Sequence, residues 1–322
     1  MCFSKQEMKR IGLIIISCNL IFLVHSQQEV GFSQYFTAMG YYNPAYAGKS
    51  GDINVMMQSR LQWYGAINNA PSSAFVAADM PLNYQNIQQG VGIVVFYDKA
   101  SSLYQRTNIA AQYAYKKKMG KGILSIGLQA GQISETFRGD SVRLSDMEGN
   151  DDVIARAAVN GKALDMAIGL FYSTEKYYAG IATTHLLAPK INMGENMEMK
   201  VDRVYNLIAG YNILTRNPLF ELQPSLFLLT NLQMAAGDIT ARVVYNKMYN
   251  GGLGVRINDK AGVNAVIFYL GANIKRFRLG YAYDFPTSVI SKIGSHELML
   301  SYQVELEKPK GKRNKHKSVR IL

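Results

Sequence analysis

The side chains that could do chemistry here are few. The sequence has four histidines, His25, His185, His296 and His316, and two cysteines, Cys2 and Cys18. No two histidines stand at a metal-ligand spacing, and no HExxH or carboxylate–histidine cluster occurs. Ser295-His296-Glu297 holds the residue types of a nucleophile, its base and an orienting carboxylate, the equipment of a hydrolase. Neighbours on a strand point to opposite faces, however, so Ser295 and Glu297 turn away from His296. His185 closes a strand-like run ahead of a long link and reads as a surface histidine. Gly251-Gly252-Leu253-Gly254 and Gly120-Lys121-Gly122 lack the following helix whose N-terminus would hold a phosphate. Small residues that ease curvature and packing in a sheet wall explain them better. Neither catalysis nor a cofactor nor a metal is expected.

Charge is concentrated in one place. The net charge is +12, of which Lys308, Lys310, Lys312, Arg313, Lys315, Lys317 and Arg320 supply +7 and the N-terminal 26 residues +2, leaving +3 for the body. The tail has no interleaved aromatic to stack on bases, so nucleic acid is not expected. A solvated terminus, or one that docks an acidic protein, anionic lipid or cell-wall polymer, fits better.

These residues must be positioned by strands. Period-two alternation is clearest in 53–63, where Ile53, Val55, Met57, Leu61 and Trp63 share one face and Asn54, Gln58, Arg60 and Gln62 the other. It recurs in 106–115, 238–246 and 296–306, and more weakly in 73–81, 90–97, 122–137, 162–173, 177–185, 203–214, 220–229, 248–258, 261–272 and 277–286. About fourteen strands, joined by alternately short and long links, predict an all-β fold: a transmembrane antiparallel β-barrel spanning 52–307. The long links are 138–161 and 186–202. A soluble sandwich would alternate too. The polar, often charged second face and tyrosines near many strand ends favour apolar-out, polar-in, with the polar face wet. Asp79, Asp165, Asp284, Arg60, Arg106 and Arg242 fall on that inner face, where they either line a channel or pair across it. An even strand count puts both termini, and the basic tail 308–322, on the short-turn side.

The N-terminus reads as a secretory signal, with a basic start (Lys5, Lys9, Arg10) and an apolar run, Ile11 to Val24, short for a membrane helix. Cleavage after Ser26 makes 1–26 the signal and 27–51 a lead-in; an uncleaved anchor, or lipoprotein processing at Cys18, are the alternatives. Both cysteines leave with the signal, and with them every thiol-based chemistry.

Phe32-Ser33-Gln34-Tyr35 and Tyr42-Asn43-Pro44-Ala45-Tyr46-Ala47-Gly48 resemble the opening of the PorP/SprF family of type IX secretion membrane proteins of Bacteroidetes-type bacteria. Arg60-Leu61-Gln62-Trp63-Tyr64-Gly65, Ala70-Pro71, Tyr97-Asp98, Ser101, Gly280-Tyr281-Ala282-Tyr283-Asp284 and His296-Glu297 extend the likeness. Tyr64 departs from it, standing where a small aliphatic residue is usual. The resemblance implies a fourteen-stranded, non-enzymatic outer-membrane barrel. It would work with secretion-system proteins on cargo bearing a C-terminal sorting domain, supporting export or surface retention, sometimes of gliding adhesins. Periplasmic peptidoglycan-linked lipoproteins are further implied partners. The rival reading is a pore or transporter for small solutes. Turn chemistry accounts for NPAYAG as a folded plug or strand lead-in: Pro44 fixes φ, Asn43 enters the turn and Gly48 permits a positive φ.

Overall fold

Strand alternation can bury an apolar face against lipid only if every backbone group finds a partner within the sheet, which requires closure. The computed structural model describes residues 29–65, 69–85, 87–138, 158–194, 197–259, 262–287 and 293–306. The expected signal and basic tail, and most of the 138–161 link, lie outside the described residues. The strands are β1 (Ile53–Leu61), β2 (Ser72–Tyr84), β3 (Ile87–Lys99), β4 (Tyr104–Met119), β5 (Gly122–Arg138) and β6 (Ala158–Ser173). There follow β7 (Tyr177–Thr184), a small hairpin β8 (Lys190–Met193) and β9 (Met197–Lys200), then β10 (Val204–Tyr211) and β11 (Ile213–Leu214). The chain ends with β12 (Phe220–Thr230), β13 (Ala235–Tyr245), β14 (Tyr249–Asn258), β15 (Gly262–Ile274), β16 (Phe277–Pro286) and β17 (Ser295–Val304).

Each barrel strand pairs antiparallel with its neighbours. β1 closes onto β17, from Ile53↔Val304 to Leu61↔His296, and β10 pairs with both β7 and β12. The result is a closed barrel of 14 antiparallel strands. The run expected as one strand at 203–214 is interrupted at Asn212, whose N–H donates to Lys176 O at 2.6 Å. The 186–202 link is not plain loop, since it contains β8–β9.

The register sets the faces. In β1, Asn54, Met56, Gln58 and Arg60 point inward and are buried, while Val55, Met57 and Leu61 point outward. Ile93, Ile109, Leu164, Ile181, Ile239, Leu270 and Leu298 continue an apolar outer wall. Aromatic side chains gather at the rim with the short turns. Tyr172–Tyr177, Tyr177–Tyr211, Phe220–Tyr245 and Phe277–Tyr302 are ring pairs there, with Tyr84, Tyr115 and Tyr249 alongside, as in an interfacial belt. At one of the turns on that rim Asn246 and Lys247 both take positive φ (49° and 55°), closing the β13–β14 hairpin with Met248 N donating to Tyr245 O. The opposite rim carries the longer links 62–71, 139–157, 185–203 and 287–294.

The polar inner face, expected to be wet, is largely covered by the chain itself. Residues 32–48 pass up the lumen, and all are buried except the half-buried Thr37, Gly40 and Tyr46. The N-terminal side of the chain also differs from expectation. β1 begins and β17 ends at the short-turn rim, but Glu29, the first described residue, sits at the long-link rim against His185.

Candidate functional site

The lumen segment folds around its own turn signals. A one-turn helix α1 (Met39–Tyr42) ends at Asn43, where the chain becomes extended (φ −142°). The Asn43 side chain accepts from Ala45 N at 2.9 Å and so caps a 3-10 turn, Pro44–Tyr46, with Pro44 at its first position. The same amide donates to the β6 and β7 carbonyls of Leu170 (2.9 Å) and Ile181 (3.2 Å). Gly48 takes φ +66° and presses its backbone against Met80 O and Gly90 Cα, and its N–H donates to Asp79 Oδ2 at 2.7 Å.

Apolar packing fills the middle. Phe32, Tyr41 and Tyr42 meet Phe75 and Phe96 from β2 and β3 and Phe227 from β12, with ring centroids 4.5–5.6 Å apart. Tyr35 stacks on Phe227 at 5.2 Å, and its hydroxyl reaches Ser225 Oγ (2.9 Å) and Thr240 Oγ1 (3.0 Å). Arg242 places its guanidinium 3.4 Å over the Phe36 ring, a contact strengthened by exclusion of water.

A charge network holds the upper turn. Glu297, fully buried, accepts from Ser33 N (2.8 Å), Gln34 N (2.7 Å) and Gln58 Nε2 (2.8 Å) and pairs with Arg60 at 3.3 Å. Arg60 also binds Asp284 (2.6 Å), as does Arg256 (2.8 Å), which reaches on to Asp238 (2.7 Å). Ser33 Oγ donates to Asp284 Oδ1 and accepts from both arginines. Buried ion pairs roughly break even against apolar packing, so the network's return is specificity: only a correctly seated Ser33–Gln34 supplies Glu297 with two backbone donors and Asp284 with the Ser33 hydroxyl. Arg60, Arg256, Asp238 and Asp284 therefore pair and clamp the segment, while Asp79 and Arg242 hold it without an ion pair, through the Gly48 N–H and the Phe36 ring.

At the long-link mouth, His185 contradicts its reading as a surface residue. It has φ +53° just past β7, folds back into the barrel and is 3% exposed. Its Nδ1 lies 2.7 Å from Asp165 and its Nε2 2.9 Å from Glu29. Arg106 pairs with Glu135 nearby at 2.8 Å. The β8–β9 hairpin folds over this side, with Ile191, Met193 and Val201 packed on the inward Ile133, Phe137 and Val159. Beside it opens a cavity of about 610 Å³ lined by Glu29, Arg60, Trp63, Asp98, Arg256 and Asp284 among others.

Burial opposes the charged form of His185, but Glu29 and Asp165 outweigh it and raise the imidazole to about 9. Burial likewise opposes ionised Glu29, and His185 prevails, lowering the carboxyl to about 2. The raised histidine contributes stability in full below its ordinary value of about 6.5 and loses it as pH climbs through about 9. The lowered glutamate contributes above about 4.5 and loses it only as pH falls towards 2. The tether is thus complete between about pH 4.5 and 6.5. Trp63, the sole tryptophan, borders the same cavity as Glu29. Its emission should titrate with a midpoint near pH 9 and stop doing so in His185→Gln; a flat titration in the wild type would refute the tether.

The motif residues separate into three places. Phe32, Gln34, Tyr35, Asn43, Pro44, Ala45 and Gly48 form the lumen segment, and Asp284 and Glu297 bind it. Trp63 and Asp98 border the mouth cavity, where Asp98 accepts from Ser73 Oγ at 2.6 Å. Tyr283 and His296 belong to the outer face: His296 meets the Tyr283 ring edge-on at 5.0 Å and the Tyr281 hydroxyl at 2.9 Å. Ser295 and Glu297 are buried on the other side, so the triplet does not converge. Sequence reasoning missed Glu29, Glu135 and Arg256; the last shares inward parity with Gly252 and Gly254, a signal that alternation did contain.

No helix among the described residues is long and apolar enough to cross a membrane; the strands are what cross it. Among solved structures the chain is similar to the Ralstonia pickettii toluene transporter TbuX, at 12% identity over 84% of this chain and 93% of that one, TM-score 0.49. It is also similar to the Acinetobacter baumannii outer membrane protein Omp33, at 6% identity over 79% and 98%, TM-score 0.47. Neither likeness bears on function. Among curated proteins none matches. A family model does match, across residues 24–302, covering the lumen segment and nearly the whole wall. This outer-membrane β-barrel belongs to the Type IX secretion system membrane protein PorP/SprF family.

Proposed function

We propose that the protein serves type IX secretion by holding partner proteins at its two rims, without catalysis and without conducting cargo through its own lumen. The observation that carries this reading is the seated segment 32–48. A lumen whose wall residues bind an internal strap offers no path for a polypeptide, so the barrel acts through its surfaces. The long-link rim, taken as the outer one because bacterial barrels keep short turns on the periplasmic side, offers the mouth cavity and the β8–β9 hairpin to an exported protein with a C-terminal sorting domain. The short-turn rim would present Lys308, Lys310, Lys312, Arg313, Lys315, Lys317 and Arg320 to periplasmic components of the apparatus, peptidoglycan-linked lipoproteins among them.

The test is photo-crosslinking from Tyr64 and Leu187, both exposed and both in long links, combined with deletion of the gene. The expected result is an adduct with an exported sorting-domain protein and loss of that protein from the cell surface in the deletion strain. Intact export in the deletion strain, with the barrel recovered alone from mild detergent, would refute the reading.

A further inference from the structure

The short-turn mouth holds a second cavity, about 790 Å³ in volume, that shares no lining residue with the first. Five lysines border it, Lys49, Lys116, Lys117, Lys118 and Lys121, against one carboxylate, Glu175. Their arrangement follows from the β4–β5 hairpin. Lys116 continues the inward parity of Gln112 and Ala114, and Lys117 takes the opposite, outward parity of Tyr113 and Tyr115. The turn at Gly120, with φ +60°, brings Lys121 round beside them. Lys49 comes from the foot of the lumen segment.

Lys116 is the informative one. It is 8% exposed, and its ammonium is covered without a hydrogen-bond partner. Asp79 is among the charges acting on it but is not within ion-pair distance; its Oδ2 accepts from Gly48 N and its Oδ1 from Asn54 Nδ2. No ion pair to Lys116 forms within 4 Å among the described residues. A buried ammonium lacking an acceptor, beside four more lysines, is a site short of an anion.

Position narrows the anion's chemistry. The outward-facing Ile87 and Tyr115 line the same cavity as the lysines. It therefore opens over the rim to the lipid-facing wall, level with the Tyr84, Tyr172 and Tyr177 belt that marks headgroup depth. Lysine binds phosphate as a compact point charge. We infer that this cavity is a phosphate-group site, filled by the headgroup of an anionic phospholipid of the adjoining leaflet or by free phosphate.

The full barrel, purified in mild detergent, is presented with phosphatidylglycerol or phosphatidylcholine of the same acyl chains and weighed by native mass spectrometry. The expected result is preferential retention of phosphatidylglycerol, weakened about fivefold for each lysine replaced in Lys118→Gln and Lys121→Gln. Both side chains are exposed, so these variants keep the fold. Displacement of the lipid by excess inorganic phosphate supports the shared phosphate chemistry. So does broadening of the inorganic phosphate ³¹P resonance by the wild type alone when no lipid is retained, which assigns the source to solution. Equal retention of the two lipids, with a phosphate resonance unaffected by the lysine replacements, would overturn the proposal.

Discussion

Replacing Glu297 by Ala should destabilise the protein by on the order of 3–5 kcal/mol and make a silent barrel conduct ions. The size of the effect comes from what is left behind. Glu297 accepts two backbone N–H groups, Ser33 and Gln34, one side-chain amide, Gln58, and shares Arg60 with Asp284. Alanine supplies no acceptor, so three buried donors and part of a buried guanidinium charge lose their partner at once, and each orphaned group carries its own desolvation cost. The segment can recover hydration only by leaving the lumen. The wall is a separate structure, because outward-facing Leu298 and the β16 and β17 ladder are untouched by the change. Glu297→Gln keeps the shape and one acceptor and should lose distinctly less. Planar-bilayer recordings and the midpoint of heat-modifiability on gels provide both readouts. An alanine variant as stable and as silent as the wild type would show that the carboxylate does not hold the segment.

The wall was legible in the sequence because alternation is local. Ile53 to Leu61 states its two faces in nine residues, and closure follows once some fourteen such runs must hide their edges. What fills the wall was not legible, because it depends on pairings far apart in the chain. Arg60 meets Asp284 from 224 positions away, and His185 meets Glu29 from 156. The set of inward acids and bases could be read off by parity, but parity names no partners and leaves channel and clamp equally open. His185 failed for a related reason. At the end of a strand the pleat no longer dictates direction, and the positive φ that turns the ring inward is a tertiary choice. Asn43-Pro44 and Gly48 did announce a turn-rich segment, and each makes the turn that its chemistry favours. That this segment runs inside the barrel rather than at its foot required the glycines of the opposing strands, whose significance shows only in three dimensions.

Gly127 is one of these glycines, and its replacement by leucine separates seating of the segment from closure of the wall. Gly127 lies on β5 between Ala114 of β4 and Gly169 of β6 and faces inward, against the turn at Pro44-Ala45. A Cβ built there collides with the Ala45 backbone N and the Pro44 carbonyl carbon. Backbone cannot swing aside as a flexible side chain can, so the 3-10 turn must move. Asn43 then loses its bonds to Leu170 O and Ile181 O. Overpacking of this kind typically costs about 1–3 kcal/mol, and contact with two backbone atoms puts Gly127→Leu at the upper end. The ladder hydrogen bonds of β5 are main-chain and persist, so strand content and heat-modifiability should remain while ion conductance appears. Ile126→Leu, one residue away on the outer face and 45% exposed, should change nothing. If export of the partner also falls in Gly127→Leu while the barrel stays in the outer membrane, the seated segment shapes the rims that partners bind. If conductance rises and export is unchanged, the segment is a seal alone. A variant that is silent and fully stable would mean that the turn does not rest on Gly127.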